Sequence, residues 1–221
     1  MCSSDLSLAG WNRIRTLLDQ PVVADPATGL GHTADQSIEL RDVHFSHDGD
    51  REVLAGVDAS IPAGRTVAVV GATGVGKTTL LHLLAGLIAP DRGTVAVPAD
   101  GVHLVLQEAF LFAGSVLDNI TLGAEIPLDA VEAAIGVAEA RFIDDLPDGL
   151  RTEIGERGVG LSGGQRQRLA LVRALVRRPT VLLLDDTTSA LDPSTEAMVL
   201  SNLRSALSRT TVVAVDRKST R

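Results

Sequence analysis

The sequence predicts an α/β fold: a parallel sheet with helices on both faces, preceded by an antiparallel β-subdomain and interrupted by a helical subdomain. Three observations lead there. The apolar runs "TVAVV" (66–70), "VLLL" (181–184) and "TTVVAV" (210–215) are too short for helices and continuous rather than alternating, as in strands covered on both faces. "GATGVGKTT" (71–79) joins the first of these runs to the helical "TLLHLLAGLI". Between 107 and 168 the chain offers helical segments such as "PLDAVEAAIGVAEA" and no comparable strand run.

Taken in order, 7–20 ("SLAGWNRIRTLLDQ") places Leu8, Trp11, Ile14 and Leu18 at helical spacing and is closed by Pro21. The following "PVVADPATGLGHTADQ" has two prolines, two glycines and no periodicity, so 7–35 reads as a helix and linker ahead of a domain starting near Asp35. "SIELRDVHF" (37–45) and "EVLAGVDASI" (52–61) read as antiparallel strands joined by the polar "SHDGDR". The parallel-sheet core is expected over about 60–106 and 169–215, with the helical subdomain between.

Composition narrows the function classes. At 221 residues and 45% apolar content the chain can bury one sizeable core. A net charge of −8, with positive residues scattered among acidic ones, argues against nucleic acid as a partner. The longest apolar stretch, "LLHLLAGLIAP" (80–90), is far short of the roughly 18 residues of a membrane span, and a single Cys excludes an internal disulfide. The termini carry a different signal. "DRKSTR" (216–221) can be encoded by GAT CGG AAG AGC ACA CGT, and "MCSSDL" (1–6) by the reverse complement of that string, which resembles a sequencing adapter. Residues 1–6 and 216–221 are therefore expected to be read-through segments flanking a gene fragment.

Two stretches carry chemistry. "GATGVGKTT" matches G-x-x-x-x-G-K-[ST], a pattern expected by chance in about one chain per hundred of this size. Its glycines (Gly71, Gly74, Gly76) let the backbone curl so that N–H groups, with Thr73 and Thr79 nearby, meet phosphate oxygens at a helix N-terminus. Lys77 would reach the β- and γ-phosphates, and the Thr78 hydroxyl would hold Mg²⁺. "LSGGQRQRLALVRALVRRP" (161–179) begins with Ser162 at a helix N-cap, continues with Gly163, Gly164 and Gln165, and stops at Pro179. Its N-terminus is a second anion site with no evident partner in its own fold.

With "VLLLDDTTSALD" (181–192) added in this order, the chain resembles the nucleotide-binding domain of an ATP-binding cassette (ABC) transporter from about Ile38 to Val215. "GATGVGKTT" resembles the family's Walker A, "VLLLD" its Walker B with Asp185 as a magnesium ligand, "LSGGQ" its signature, and "SALD", ending in Asp192, its D-loop. "LVLQEAFLFAGSVLDNI" (104–120) resembles the Q-loop region, with Gln107 as the glutamine that senses Mg²⁺ and lytic water. "TEIGERG" (152–158) is similar to a loop of exporters. The resemblance implies a nucleotide-binding domain over 36–215 with a P-loop NTPase fold and RecA-like core, ATP and Mg²⁺ as cofactors, and a place at the cytoplasmic face of the membrane. It also implies a transmembrane domain upstream, and a second nucleotide-binding domain meeting this one head to tail. Each ATP is then held by Walker A of one domain and the signature of the other.

Two positions depart from the family pattern. His47 stands where an aromatic residue stacks on adenine. Asp186 stands where the family has a catalytic glutamate, and the shorter side chain withdraws a general base from its water. The expected function is therefore ATP-driven export. The alternative is a catalytically degenerate half whose signature completes the site of a heterodimer partner.

Overall fold

The computed structural model describes residues 30–47, 49, 51–155 and 160–216. The expected helix at 7–20, the segment 1–6 and residues 217–221 lie outside the described residues, as do Glu156, Arg157 and Gly158 of "TEIGERG".

β4 (Thr66–Val70), β6 (Val102–Val105), β9 (Val181–Asp185) and β10 (Thr211–Asp216) form one parallel sheet in the order β4-β10-β9-β6. β9 is buried at every position. Successive residues of a strand point to opposite faces, and β9 uses both. Val181 and Leu183 pack with Leu81, Leu83 and Leu84 of α1 (Lys77–Leu84) and with the antiparallel sheet. Leu182 and Leu184 pack with Leu169 and Val172 of α4 (Gly163–Leu175), in a core that takes in Val131 and Ile135 of α3 (Leu128–Val137) and Val199 and Leu203 of α5 (Pro193–Ala206). Continuous apolarity in "VLLL" thus has its expected cause.

The second sheet runs β1-β5-β2-β3, with β2 (Ile38–Ser46) antiparallel to both β3 (Glu52–Ile61) and β5 (Arg92–Val97). Its first strand, β1 (Gly31–His32), lies within the segment expected as linker and pairs in parallel with β5 through Ala96 and Val97. Two residues joined only by backbone pairing leave no side-chain period to read. The helical segment between β6 and α4 holds α2 (Val116–Thr121), α3, two 3₁₀ turns (Arg141–Asp145 and Gly149–Arg151) and a separate ribbon of β7 (Gly114–Ser115) with β8 (Glu153–Ile154). Gln107 follows β6 and Ser162 caps α4, so neither lies on the parallel sheet.

Two helices end sooner than their apolar patterns suggest. After Leu84 the chain turns out of α1, with the Leu87 N–H donating back to the His82 carbonyl (2.9 Å) and the Gly86 N–H to that of Leu83 (3.1 Å). α4 ends at Leu175, and the chain turns away before Pro179 with Arg178 at φ 50 and its N–H donating to the Leu175 carbonyl (2.9 Å). Leu183→Ala should lower unfolding free energy by about 2–5 kcal/mol in denaturant titration, while the same truncation at Met198, 47% exposed on α5, should change it by about 0.5 kcal/mol or less.

Candidate nucleotide-binding site

Strand register assembles the site. In the parallel sheet Val215 pairs with Val69 on one side and Asp185 on the other, and Val105 pairs with Leu184. The residues after β4, β6 and β9 (Gly71, Gln107 and Asp186) therefore emerge at the same carboxyl edge, where α/β sheets receive ligands.

The loop after β4 enters α1 through Gly76, whose φ is 100 and whose missing Cβ would stand 2.8 Å from the Val53 side chain, so glycine is required on both counts. α1 has no side-chain cap and no acidic residue in its first turn. Its leading N–H groups and the positive end of its dipole are left for an anion. Lys77 is buried, and its Nζ donates to the carbonyls of Gly71 (2.6 Å) and Ala72 (2.9 Å). A cleft of about 280 Å³ is lined by Thr73, Gly74, Gly76, Lys77, Thr78 and Thr79 of this loop and helix, with His47 just after β2 and Val53 of β3. His47 stands edge to face with Phe45 at 5.0 Å, and its Nε2 lies 3.4 Å from Thr79 Oγ1. An aromatic ring thus borders the cleft.

Beneath the loop, Thr78 Oγ1 donates to Asp185 Oδ2 (2.9 Å). Asp185 is 3% exposed, and its Oδ1 is buried with no hydrogen-bond partner among the described residues. A carboxylate oxygen buried without compensation is costly. The donor set here, one carboxylate and one hydroxyl, is hard oxygen, so a Mg²⁺ ion fits it. Asp186 follows with φ 49, in the left-handed region where aspartate is enriched among non-glycine residues. Its N–H donates to the Val215 carbonyl (3.3 Å), and its Oδ2 accepts from Gln107 Nε2 (3.2 Å).

Ser162, Gly163, Gly164, Gln165 and Asp192 do not line this cleft. Ser162 and Gln165 close a capping box: Ser162 Oγ accepts from the Gln165 N–H (3.2 Å), and Gln165 Oε1 from the Ser162 N–H (2.8 Å). A Cβ on Gly164 would stand 2.9 Å from the Ala190 carbonyl oxygen and 3.2 Å from Leu191 Cδ2, so the helix start packs directly on the 189–192 loop of its own chain. Asp192 caps α5. Hydrogen bonds from the Ser194 hydroxyl, and from the Thr195 N–H and hydroxyl, hold its carboxyl well below the usual carboxylate range. This contribution is present above that range and is lost as pH falls through the depressed value.

The residue with no place in the sequence-based site is Gln167. It is 6% exposed, donates through Nε2 to the Gln107 carbonyl (3.1 Å) and accepts at Oε1 from the Ala190 N–H (3.2 Å). The available signal is a glutamine at the spacing of the buried positions Ala170, Leu171 and Ala174 on α4.

A phosphate loop, a buried carboxylate and a capped second helix at one sheet edge define a P-loop nucleotide-binding fold. The chain belongs to the ABC transporter family, whose model matches residues 54–189. Over 87% of its length it is 43% identical to the mycobactin import ATP-binding/permease protein IrtB of Mycolicibacterium thermoresistibile. Over 83% it is 43% identical to the ATP-dependent lipid A-core flippase of Aromatoleum aromaticum. It spans 36% and 33% of those two proteins. Its fold matches a bacterial Atm1-family ABC exporter with ATP bound, with a TM-score of 0.84 and 34% identity over 97% of this chain and 40% of that one. Among the described residues no helix is long and apolar enough to cross a membrane.

Two substitutions separate the glycines of the second helix. Gly163→Ala places a methyl at an ordinary 3.6 Å from Ala190 Cβ and should shift unfolding free energy by less than about 1 kcal/mol. Gly164→Ala must displace the 189–192 loop and should cost about 1–3 kcal/mol in the same denaturation assay.

Proposed function

We propose that this chain is the ATP-binding and ATP-hydrolysing domain of an exporter-type ABC transporter, working at the cytoplasmic face of a membrane. The observation that carries this is the Thr78–Asp185 hydrogen bond with the orphaned Asp185 Oδ1 beside it, set under the Lys77 loop. Thr78, Asp185 and Gln107 would hold Mg²⁺, which when bound offsets charge on the transferred phosphoryl group. Lys77 and the N–H groups of Gly74, Gly76 and Thr79 bind the β- and γ-phosphates, Thr73 lies beside them, and His47 stacks on the base. Likeness to the Atm1-family exporter and the "TEIGERG" segment support the exporter architecture. The transmembrane domain would select cargo and direction, since relatives of equal identity carry "import" and "flippase" in their names.

Within that reading Asp186 is the general base for lytic water, positioned by Gln107. One methylene fewer than glutamate draws the carboxylate back by about 1 Å, a displacement that can cost on the order of a hundredfold in rate. The left-handed backbone at residue 186 suits aspartate, so the short side chain and the backbone agree. Ser162, Gly163, Gly164, Gln165 and Asp192 face a second nucleotide-binding domain and complete its site. A heterodimer with a partner carrying a full Walker B uses every motif present, giving one fast site and one slow; slow homodimeric hydrolysis is the second reading, and Asp186 is the observation behind both.

In the full-length assembly, Asp186→Glu should raise ATP turnover about tenfold or more, read as kcat by phosphate release. An unchanged rate at a site shown to bind ATP would end the geometric argument. Mutating Ser162 should collapse assembly activity while ATP binding at this chain's own Lys77 loop persists. Full activity with one gene product present would exclude the heterodimer.

A further inference from the structure

Four hydrogen bonds close a ring around the carboxyl edge of β9. Gln167 Nε2 donates to the Gln107 carbonyl (3.1 Å), Gln107 Nε2 donates to Asp186 Oδ2 (3.2 Å), Ser189 Oγ donates to the Asp186 carbonyl (2.8 Å), and the Ala190 N–H donates to Gln167 Oε1 (3.2 Å). Gln167 is the member of this ring that belongs to α4, the helix capped by Ser162. Its side chain is buried and placed to donate at one atom and accept at the next. A carboxamide does both. Were either bond unmade, the half-exposed carbonyl at 107 or the N–H at 190 would turn to water, and the loops after β6 and β9 would no longer be tied through α4.

We infer that Gln167 is a positioning residue for hydrolysis at the chain's own phosphate site, and that its carboxamide makes that site and the N-terminus of α4 one mechanical unit. The inference rests on the ATPase reading above and adds to it a route between the two ends of the domain. Gln167 touches neither the Lys77 loop nor the 280 Å³ cleft. It acts through the Gln107 main chain, which sets where the Gln107 side chain meets Asp186, and through Ala190, on which Gly163 and Gly164 pack. A shift of the α4 N-terminus, as on docking against a second domain, is thereby transmitted to residues 107 and 186 without an intervening change in the sheet.

The test compares Gln167→Met and Gln167→Glu with the wild type in the full-length transporter. Methionine matches glutamine in length and keeps the packing but makes neither hydrogen bond. Glutamate keeps the acceptor for Ala190 and sets a carboxylate against the Gln107 carbonyl. Both variants should retain ATP affinity and KM within about twofold while kcat falls about tenfold to a hundredfold. A role in packing alone predicts a Met variant with wild-type kcat, and that result would overturn the inference. In a Gln107→Ala background the Met substitution should cost about twofold or less, since the group it positions is already gone; a full additional loss would also overturn it. Hydrogen exchange supplies a readout independent of turnover. With this chain held monomeric by dilution, so that no second domain covers the signature, Mg·ATP should slow exchange in peptides covering 160–168 of the wild type and leave the same peptides of Gln167→Met unchanged. An equal response in both, with ATP bound, contradicts the coupling alone. Absence of ATP binding by the wild type would overturn the ATPase reading and this inference together.

Discussion

The structure depends on one buried carboxylate. Asp185 ends a strand covered on both faces, and among the described residues Thr78 donates to its Oδ2 while Oδ1 has no hydrogen-bond partner. Such an arrangement is expensive in a protein interior, where an isolated ionised group is tolerated only with a compensating charge or hydrogen bonds. The fold could have relieved the cost with one more hydroxyl or amide. Instead it surrounds Asp185 with a loop that presents bare N–H groups at a helix start and a lysine bent onto backbone carbonyls. Each of these features is unfavourable alone, and a phosphate with its divalent cation answers all of them together.

That logic also explains the division of labour between the two faces of β9. Val181 and Leu183 fasten the strand to α1, which carries Lys77 and Thr78, whereas Leu182 and Leu184 fasten it to α4, whose first residues do not line the cleft. One strand therefore holds both ends of the proposed catalytic cycle at fixed distance from Asp185. The loops that follow β6 and β9 are joined by side chains rather than by sheet pairing, through Gln107, Gln167 and Ser189, which is where movement can be accommodated without breaking the core.

Much of this was legible in the sequence because it rests on local rules. Continuous apolarity marked β9, the glycine-lysine-threonine spacing marked the loop before α1, and Ser162 of "LSGGQ" marked the helix N-cap that it forms. What could not be read depends on backbone pairing or on side chains meeting distant backbone. β1 is two residues with no period, the ends of α1 and α4 are set by turns at Gly86 and Arg178, and Gln167 bonds to residues 60 and 23 positions away. The φ of 49 at Asp186 belongs to the same class: the sequence shows a shortened side chain, and only the fold shows a backbone that suits it. The signature residues are assembled away from the cleft, and their proposed role lies with a second domain.

The most direct test of the account is the thermal stability of the chain and of Asp185→Asn, each at saturating ATP, as a function of Mg²⁺. If the orphaned oxygen is the cation's seat, the amide relieves an uncompensated charge, so Asp185→Asn should melt higher than the wild type without metal and gain little from Mg²⁺, whereas the wild type should gain several degrees. An Asp185→Asn protein that melts lower than the wild type without metal and rises with Mg²⁺ as steeply would contradict it.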